Sequence, residues 1–245
     1  MKTHNLIIGG TRGLGRELTR LMTERGDTVS VISRNLPDAK SSINGVTYRA
    51  ADLTQGDLRR NIFKELVQQH GRISSLIFSH RYRGKDDPWK GEMETSVTAT
   101  KDSIEELADS LDDQGRASIV MVSSVAGAYV CDGPPVGYHV AKAALDQMVR
   151  FYAVNLGRKG VRVNGVTPFT FLKEESKEFY LKDEKRLRMY QQLIPLGRMG
   201  TAEDVAKVIL FLCSPDAGFV NGQNLLVDGG LSARWPESVA VQFLI

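Results

Sequence analysis

Residues 6–15 read Leu-Ile-Ile-Gly-Gly-Thr-Arg-Gly-Leu-Gly, and this stretch indicates the fold. An aliphatic run comes first, spaced glycines follow, and apolar residues then recur at helical spacing from Leu14 to Met22. A strand, a glycine turn and a helix in this order are typical of a pyrophosphate site. Glycine lets backbone N–H groups approach the anion, and the N-terminus of a helix favours negative charge. A glycine-rich turn that holds no ligand is the alternative.

Similar apolar runs recur along the chain and alternate with longer segments of helical spacing. The runs cover residues 6–8, 28–32, 76–78, 118–122, 161–166 and 225–227. Continuous rather than alternating apolar residues indicate strands that are covered on both faces, as in a parallel sheet. We therefore predict an α/β fold: a doubly wound, Rossmann-like parallel sheet flanked by helices on both faces. Because no linker or repeat interrupts the pattern, we expect residues 1–245 to form one domain.

The composition excludes several classes of protein. With 42% hydrophobic residues, 25% charged residues and a net charge of +3, the 245-residue chain is average for a globular protein. The basic residues form no run that would indicate nucleic acid, and two distant cysteines indicate neither a metal site nor a disulfide. No apolar stretch is long enough to span a membrane, and the N-terminus lacks a signal-peptide pattern. We expect a cytoplasmic protein with no metal, nucleic acid or membrane partner.

The end of the second predicted strand bears on the choice of dinucleotide. A carboxylate there would bind the ribose 2′-OH of NAD, whereas a basic residue suits a 2′-phosphate. Here the strand ends at Ser33 and Arg34, and Arg12 in the glycine turn is placed to reach the same phosphate. The sequence therefore favours NADP(H) over NAD(H). Without Arg12, Arg34 would be read as a solvated surface charge.

A serine, a tyrosine and a lysine form the second candidate constellation. The strand at residues 118–122 is followed by Ser123 and Ser124, and Tyr138 lies four residues before Lys142. A spacing of four places Tyr138 and Lys142 on one helix face. A phenol has a usual pKa near 10, and a neighbouring ammonium favours its phenolate form, so we expect Lys142 to help Tyr138 exchange a proton. A serine hydroxyl orients the substrate oxygen, and adjacent strand residues face opposite ways, so only one serine, Ser124 by preference, faces the substrate.

In this order of glycine turn, strand-terminal serine and Tyr-x-x-x-Lys, the chain resembles the short-chain dehydrogenase/reductase family in its compact single-domain form. Asp52-Leu53, Pro168 and the glycine-rich segment at 222–230 match further motifs of that family. The resemblance implies an NAD(P)-dependent oxidoreductase that forms a homodimer or homotetramer, with Ser124, Tyr138 and Lys142 as catalytic residues. The implied cofactor-binding residues are Gly9, Thr11, Arg12, Gly13, Leu14, Gly15, Ser33, Arg34, Asp52, Leu53, Ser79, Tyr138, Lys142 and Pro168.

The chain departs from the family pattern at four places. Ile8 stands where a threonine braces the glycine turn, and residues 78–81 (Phe-Ser-His-Arg) replace Asn-Asn-Ala-Gly. Ser96 aligns with the asparagine that links the lysine to solvent through a water. Phe169 replaces the glycine after Pro168.

The polar segment at residues 80–92 is predicted to be a loop, and two of its features stay open. His80 is a candidate proton shuttle, with a packing role as the favoured alternative. Arg81 and Arg83 are candidates to bind an anionic substrate. The nearby Asp86, Asp87 and Glu92 favour a mixed-charge loop instead.

Residues 169–194 are predicted to form a lid over the substrate. They follow the sixth strand, and ligands bind at the carboxyl ends of strands in such sheets. Six basic and five acidic residues between Lys173 and Arg188 do not identify a charged substrate. The aromatic residues of this segment suit either an apolar substrate or packing against the body.

The sequence thus predicts an NADP(H)-dependent oxidoreductase that interconverts a carbonyl and a secondary alcohol on a small, specialised biosynthetic substrate. The absent asparagine and the altered fourth-strand loop leave a second hypothesis, a catalytically impaired NADP-binding sensor or scaffold. Dehydration or epimerisation with a bound cofactor is a third.

Overall fold

The computed structural model describes residues 3–84 and 86–241, and its centre is a parallel sheet of seven strands in the order β3-β2-β1-β4-β5-β6-β9. This order confirms the predicted doubly wound sheet. A separate two-stranded pair consists of β7 and β8. The strands are β1 His4–Ile8, β2 Thr28–Ser33, β3 Val46–Ala50, β4 Ser75–Phe78, β5 Ser118–Val122, β6 Arg162–Pro168, β7 Phe171–Leu172, β8 Gly200–Thr201 and β9 Asn224–Val227.

Helices connect the strands and cover both faces of the sheet. They are α1 Gly13–Glu24, α2 Gly56–His70, α3 Pro88–Glu92, α4 Ala99–Leu107, α5 Val136–Gly157, α6 Glu174–Lys182, α7 Glu184–Leu193, α8 Ala202–Cys213 and α9 Pro236–Val241. A π-helical segment, Met93–Thr98, joins α3 to α4. No helix in the described ranges combines the length and the apolar character that crossing a membrane requires.

The core consists of two apolar layers, one on each face of the sheet. Successive strand residues point to opposite faces. Leu6 and Ile8 of β1 therefore pack with α2, α4 and α5, whereas Ile7 packs with α1 and α8. All five residues of β1 are buried. This explains why the apolar runs of the sequence are continuous.

The segment at residues 80–92 corrects one prediction. Its last five residues form α3 rather than a loop, because Pro88 fixes a helical backbone angle and Asp87 caps the helix. The Asp87 carboxylate accepts hydrogen bonds from the backbone N–H groups of Trp89 and Lys90, at 2.9 and 3.2 Å. Only the first part of the segment is irregular.

Candidate active site

A cavity of about 880 Å³ lies beyond the carboxyl ends of β1, β2, β3 and β4. Such a volume is in the range of sites for small molecules and cofactors. Nine of the predicted cofactor residues line it: Gly9, Thr11, Arg12, Gly13, Ser33, Arg34, Asp52, Leu53 and Ser79. Sequence reasoning missed Arg16 on α1 and also Asn35, Asp38 and Ser41, which lie in the turn after β2 that no motif marks.

The glycine turn has the close backbone contacts that its composition predicts. Gly9 and Gly13 have positive φ angles of 91° and 50°. A Cβ atom at Gly15 would lie 2.0 Å from the carbonyl oxygen of Gly9, so no side chain fits there. The buried hydroxyl of Thr19 lies 2.8 Å from the Gly15 carbonyl and 3.2 Å from the Gly10 carbonyl. Thr19 therefore braces the turn, although Ile8 provides no hydroxyl.

Basic side chains give the cavity a positive lining. Arg12, Arg34, Arg81 and Arg83 all line it. Within residues 3–84 and 86–241, none of these four guanidiniums forms an ion pair. Burial lowers the pKa of Arg83, the charges of Arg81, Arg12 and Arg34 lower it further, and the Glu175 carboxylate opposes them. The four cations therefore face one another across a single cleft.

The turn after β3 is held in place by a buried arginine that the sequence did not single out. Arg59 donates a hydrogen bond of 2.6 Å to the Leu53 carbonyl and forms ion pairs with Asp102 and Glu106 at 3.0 and 2.8 Å. The Asp52 carboxylate accepts hydrogen bonds from the backbone and the hydroxyl of Thr54. This network fixes the position of Leu53 at the cavity wall.

The two serines after β5 face different surroundings. The Ser123 hydroxyl is buried and donates to the Lys142 carbonyl at 3.1 Å. Ser124 is partly exposed, and its hydroxyl accepts a hydrogen bond of 3.3 Å from the Ala126 backbone. Only Ser124 therefore has a hydroxyl with access to a substrate.

Two cations flank the ring of Tyr138. The Lys142 Nζ lies 5.6 Å from the ring centroid, and the Arg81 Cζ lies 5.7 Å from it. Lys142 is buried and donates a hydrogen bond of 2.8 Å to the Val122 carbonyl. Burial lowers the pKa of Lys142 to about 8, the positive charges of Arg81 and Lys173 act in the same direction, and the Glu92 and Asp146 carboxylates oppose them. The pair predicted from the sequence thus has a second cation as neighbour.

Ser96 and Glu92 form a buried pair beside Lys142. The Ser96 hydroxyl donates to the Glu92 carboxylate, and these residues are 1% and 4% exposed. Sequence reasoning counted Glu92 among the charges of a loop, and this was wrong because Glu92 closes α3 inside the protein. The sequence shows only the spacing of four between Glu92 and Ser96, which predicts that they share one helix face.

His80 has the geometry of a packing residue. Its Nε2 donates to the Thr95 carbonyl at 2.8 Å, and its ring lies 5.9 Å from that of Phe78. In the described part of the chain, its buried Nδ1 has no hydrogen-bond partner. Burial lowers the pKa of His80 to about 4. Because a proton shuttle needs a pKa near the working pH, the packing alternative is favoured.

Five predicted cofactor residues are not among those that line the cavity: Leu14, Gly15, Tyr138, Lys142 and Pro168. The Leu14 side chain is buried in the apolar layer under α1, Gly15 packs against Gly9, and Pro168 is buried at the end of β6. Only the backbone positions of Leu14, Gly15 and Pro168 bear on a ligand in the cavity.

The predicted lid segment contains β7, α6 and α7 and reaches the glycine turn. A Cβ atom at Gly13 would lie 2.9 Å from a Glu175 carboxylate oxygen and 3.4 Å from the Lys173 side chain. The rings of Tyr180 and Phe169 each lie 6.0 Å from that of Tyr190. The aromatic residues of this segment therefore pack against one another.

Comparison with known proteins identifies the family. A family profile described as enoyl-(acyl carrier protein) reductase matches residues 9–232. Isoepoxydon dehydrogenase patN from Penicillium expansum is 32% identical over 93% of this chain and 94% of its own. The 3-oxoacyl-(acyl-carrier-protein) reductase FabG from Thermotoga maritima is 30% identical over 92% of this chain and 96% of its own. The solved structure of ElxO with NADP bound has the same fold, with a TM-score of 0.82 and 24% identity over 96% of this chain and 100% of that chain.

The chain belongs to the short-chain dehydrogenase/reductase family. Within that family it is an NAD(P)-dependent oxidoreductase that acts on carbonyl and alcohol groups.

Proposed function

We propose that the protein is an NADP(H)-dependent reductase or dehydrogenase that interconverts a carbonyl and a secondary alcohol on a small, specialised biosynthetic substrate. One observation carries the proposal. The Tyr138 ring lies beside Arg81, which lines the cavity of the glycine turn, and Lys142 lies on the same helix face as Tyr138. In this proposal residues 1–245 form one domain, residues 169–194 serve as the lid, and the protein works in the cytoplasm.

The cavity fits a phosphorylated dinucleotide. A pyrophosphate can approach the backbone of Gly9 and Gly13, because neither residue carries a side chain. Arg12 and Arg34 form no ion pair among the described residues, and Thr11 Oγ1 donates to Ser33 Oγ at 3.3 Å at the wall of the same cavity. These groups would hold the 2′-phosphate, and Asp52, Leu53 and Ser79 would line the remainder of the site.

Tyr138, Ser124 and Lys142 have separate roles in the proposed proton transfer. When bound, the nicotinamide supplies or accepts a hydride at the substrate carbon. Tyr138 gives its hydroxyl proton to the substrate oxygen in reduction and takes a proton from the alcohol in oxidation. Ser124 donates a hydrogen bond to that oxygen and orients it. The Lys142 ammonium stabilises the negative charge that develops on the Tyr138 oxygen.

The cofactor assignment is tested by Arg34→Asp, with Arg158→Asp on the exposed end of α5 as control. Losing a charged hydrogen bond and gaining a like charge at a phosphate should weaken NADPH binding by about 10- to 100-fold. NADH binding should change much less, and calorimetric titration measures both. Equal losses for NADPH and NADH would contradict the phosphate role of Arg34.

The enzymatic assignment is tested by Tyr138→Phe, which removes one hydroxyl and keeps the ring. We expect carbonyl-dependent oxidation of NADPH to fall at least about 100-fold while NADPH still binds. Tight NADPH binding with no turnover across a panel of ketones and aldehydes, and no effect of Tyr138→Phe, would favour the sensor hypothesis instead.

A further inference from the structure

Arg81 is the cation beside Tyr138 to which the proposed function gives no role. Its guanidinium carbon lies 5.7 Å from the centroid of the Tyr138 ring, almost the same distance as the Lys142 ammonium. Lys142 is buried, whereas the Arg81 side chain is exposed and lines the cavity. Arg81 is therefore accessible to a ligand in the cavity and lies next to Tyr138, the residue proposed to exchange the proton.

Two acidic residues that follow Arg81 in the chain, Asp87 and Glu92, are engaged elsewhere, whereas Glu175 lines the same cavity. Asp87 accepts hydrogen bonds from the first turn of α3, and Glu92 accepts one from Ser96 inside the protein. Over the ranges 3–84 and 86–241, no carboxylate lies within ion-pair distance of Arg81. Exposed Asp86 and Asp87 keep this segment mixed in charge, as the sequence predicted, but neither forms an ion pair with Arg81 in these ranges.

Lys173 brings a third positive charge to the same place. Its Nζ lies 4.8 Å from the centroid of the Phe171 ring, and its described surroundings contain no ion-pair partner. Burial is the main cause that lowers the pKa of both Lys142 and Lys173, and the charge of Arg81 lowers both further, whereas Glu92 raises that of Lys142 and Glu175 that of Lys173. Arg81, Lys142 and Lys173 are thus within electrostatic reach of one another, and an anion bound between them would relieve their repulsion.

Resting on the proposed function, we propose that the substrate is a keto acid or aldehyde acid whose carboxylate is bound by Arg81. A guanidinium presents a planar pair of N–H donors that matches the two oxygens of a carboxylate. With the carboxylate on Arg81, the reacting oxygen of the same molecule faces Tyr138 and Ser124. Arg81 is then a specificity residue that selects anionic over neutral carbonyl compounds.

A pair of rigid probes that differ only in charge tests this inference. We would measure kcat/KM with NADPH at pH 7 for 3-formylbenzoate and for its methyl ester. The wild-type protein should prefer the carboxylate, and Arg81→Gln should lower the acid-to-ester ratio of kcat/KM by about tenfold or more. Arg81→Lys should retain part of the preference. The control Lys90→Gln removes an exposed charge of α3 that is paired with Glu94, and it should leave the ratio unchanged.

A binding measurement makes the test independent of turnover. Calorimetry should show that benzoate binds the NADP⁺-loaded wild-type protein at least about tenfold more tightly than benzamide, and that Arg81→Gln removes the difference. No preference for benzoate overturns the proposal.

Two other results would also overturn it. If Arg81→Gln lowers kcat/KM equally for acid and ester, Arg81 acts through Tyr138. If it weakens NADPH binding and leaves the ratio unchanged, Arg81 binds the cofactor. A retained benzoate preference without turnover of any carbonyl compound would instead contradict the proposed function and leave the anion site standing.

Discussion

Lys142 shows how burial and nearby charges set the protonation of a single side chain. Burial alone disfavours the ammonium, and Arg81 adds repulsion. The carboxylate of Glu92, which is buried at the end of α3, is the strongest influence that raises the pKa of Lys142. The resulting value of about 8 places the titration of this lysine close to neutral pH.

The first prediction concerns Glu92→Gln. Removing the carboxylate lowers the pKa of Lys142 further, so the ammonium is lost at a lower pH. Because the proposed mechanism needs that ammonium, the alkaline limb of the kcat/KM profile should move to lower pH. The control Glu94→Gln removes an exposed carboxylate from the π-helix that follows Glu92 and should not move the alkaline limb. An unchanged profile in Glu92→Gln would contradict the coupling.

His80 gives a second prediction, for stability. The folded protein keeps the His80 ring neutral down to a pH of about 4, whereas the unfolded chain takes up this proton near pH 6.5. The lowered pKa of His80 therefore contributes up to about 3 kcal/mol to the free energy of unfolding. This contribution is complete above pH 6.5 and is lost as the pH falls to 4. Urea unfolding at several pH values measures it. His80→Gln keeps the donor to Thr95 and should flatten this dependence; equal slopes in both proteins would contradict it.

At the scale of elements, the glycine turn and the first turn of α6 meet at one point. The turn offers the N-terminus of α1, and α6 brings Glu175 against Gly13. A carboxylate is favoured beside a helix N-terminus for the same reason that a phosphate is. Glu175 and a pyrophosphate therefore compete for this position.

A third prediction follows for Glu175→Gln. Removing the negative charge next to Gly13 should strengthen NADPH binding by about three- to tenfold, and the gain should shrink at high salt. Titration at two ionic strengths measures this. Glu178→Gln, on the exposed face of α6 in an ion pair with Lys182, is the matched control. Weaker binding of NADPH in Glu175→Gln would show that the carboxylate helps to hold the ligand.

At the scale of the whole molecule, one face of α5 leaves large apolar side chains in water. Val136, Val140, Phe151 and Val154 are 68, 39, 57 and 78% exposed, and their spacing follows the helix repeat. An apolar stripe of this length is typical of a contact between copies of a chain. It supports the proposed homodimer or homotetramer.

The fourth prediction is that Val154→Asp shifts the protein to a smaller species in analytical ultracentrifugation. The free-energy cost of burying an unpaired carboxylate in an apolar contact exceeds the free energy that one apolar side chain contributes to that contact. Lys64→Asp on the exposed surface of α2 should leave the assembly unchanged. A wild-type monomer at micromolar concentration would contradict the proposed assembly.

The sequence by itself determined the strand–turn–helix unit, the parallel sheet and the Tyr138–Lys142 spacing. These features depend on local periodicity, which can be read directly from the spacing of apolar residues and glycines in the sequence. Only the tertiary structure decided that Glu92 is buried beside Lys142 and that Arg81 lies over the Tyr138 ring with no ion pair among the described residues. Both contacts join segments far apart in the chain, and burial and charge pairing between such segments depend on how the helices pack, which local patterns do not encode.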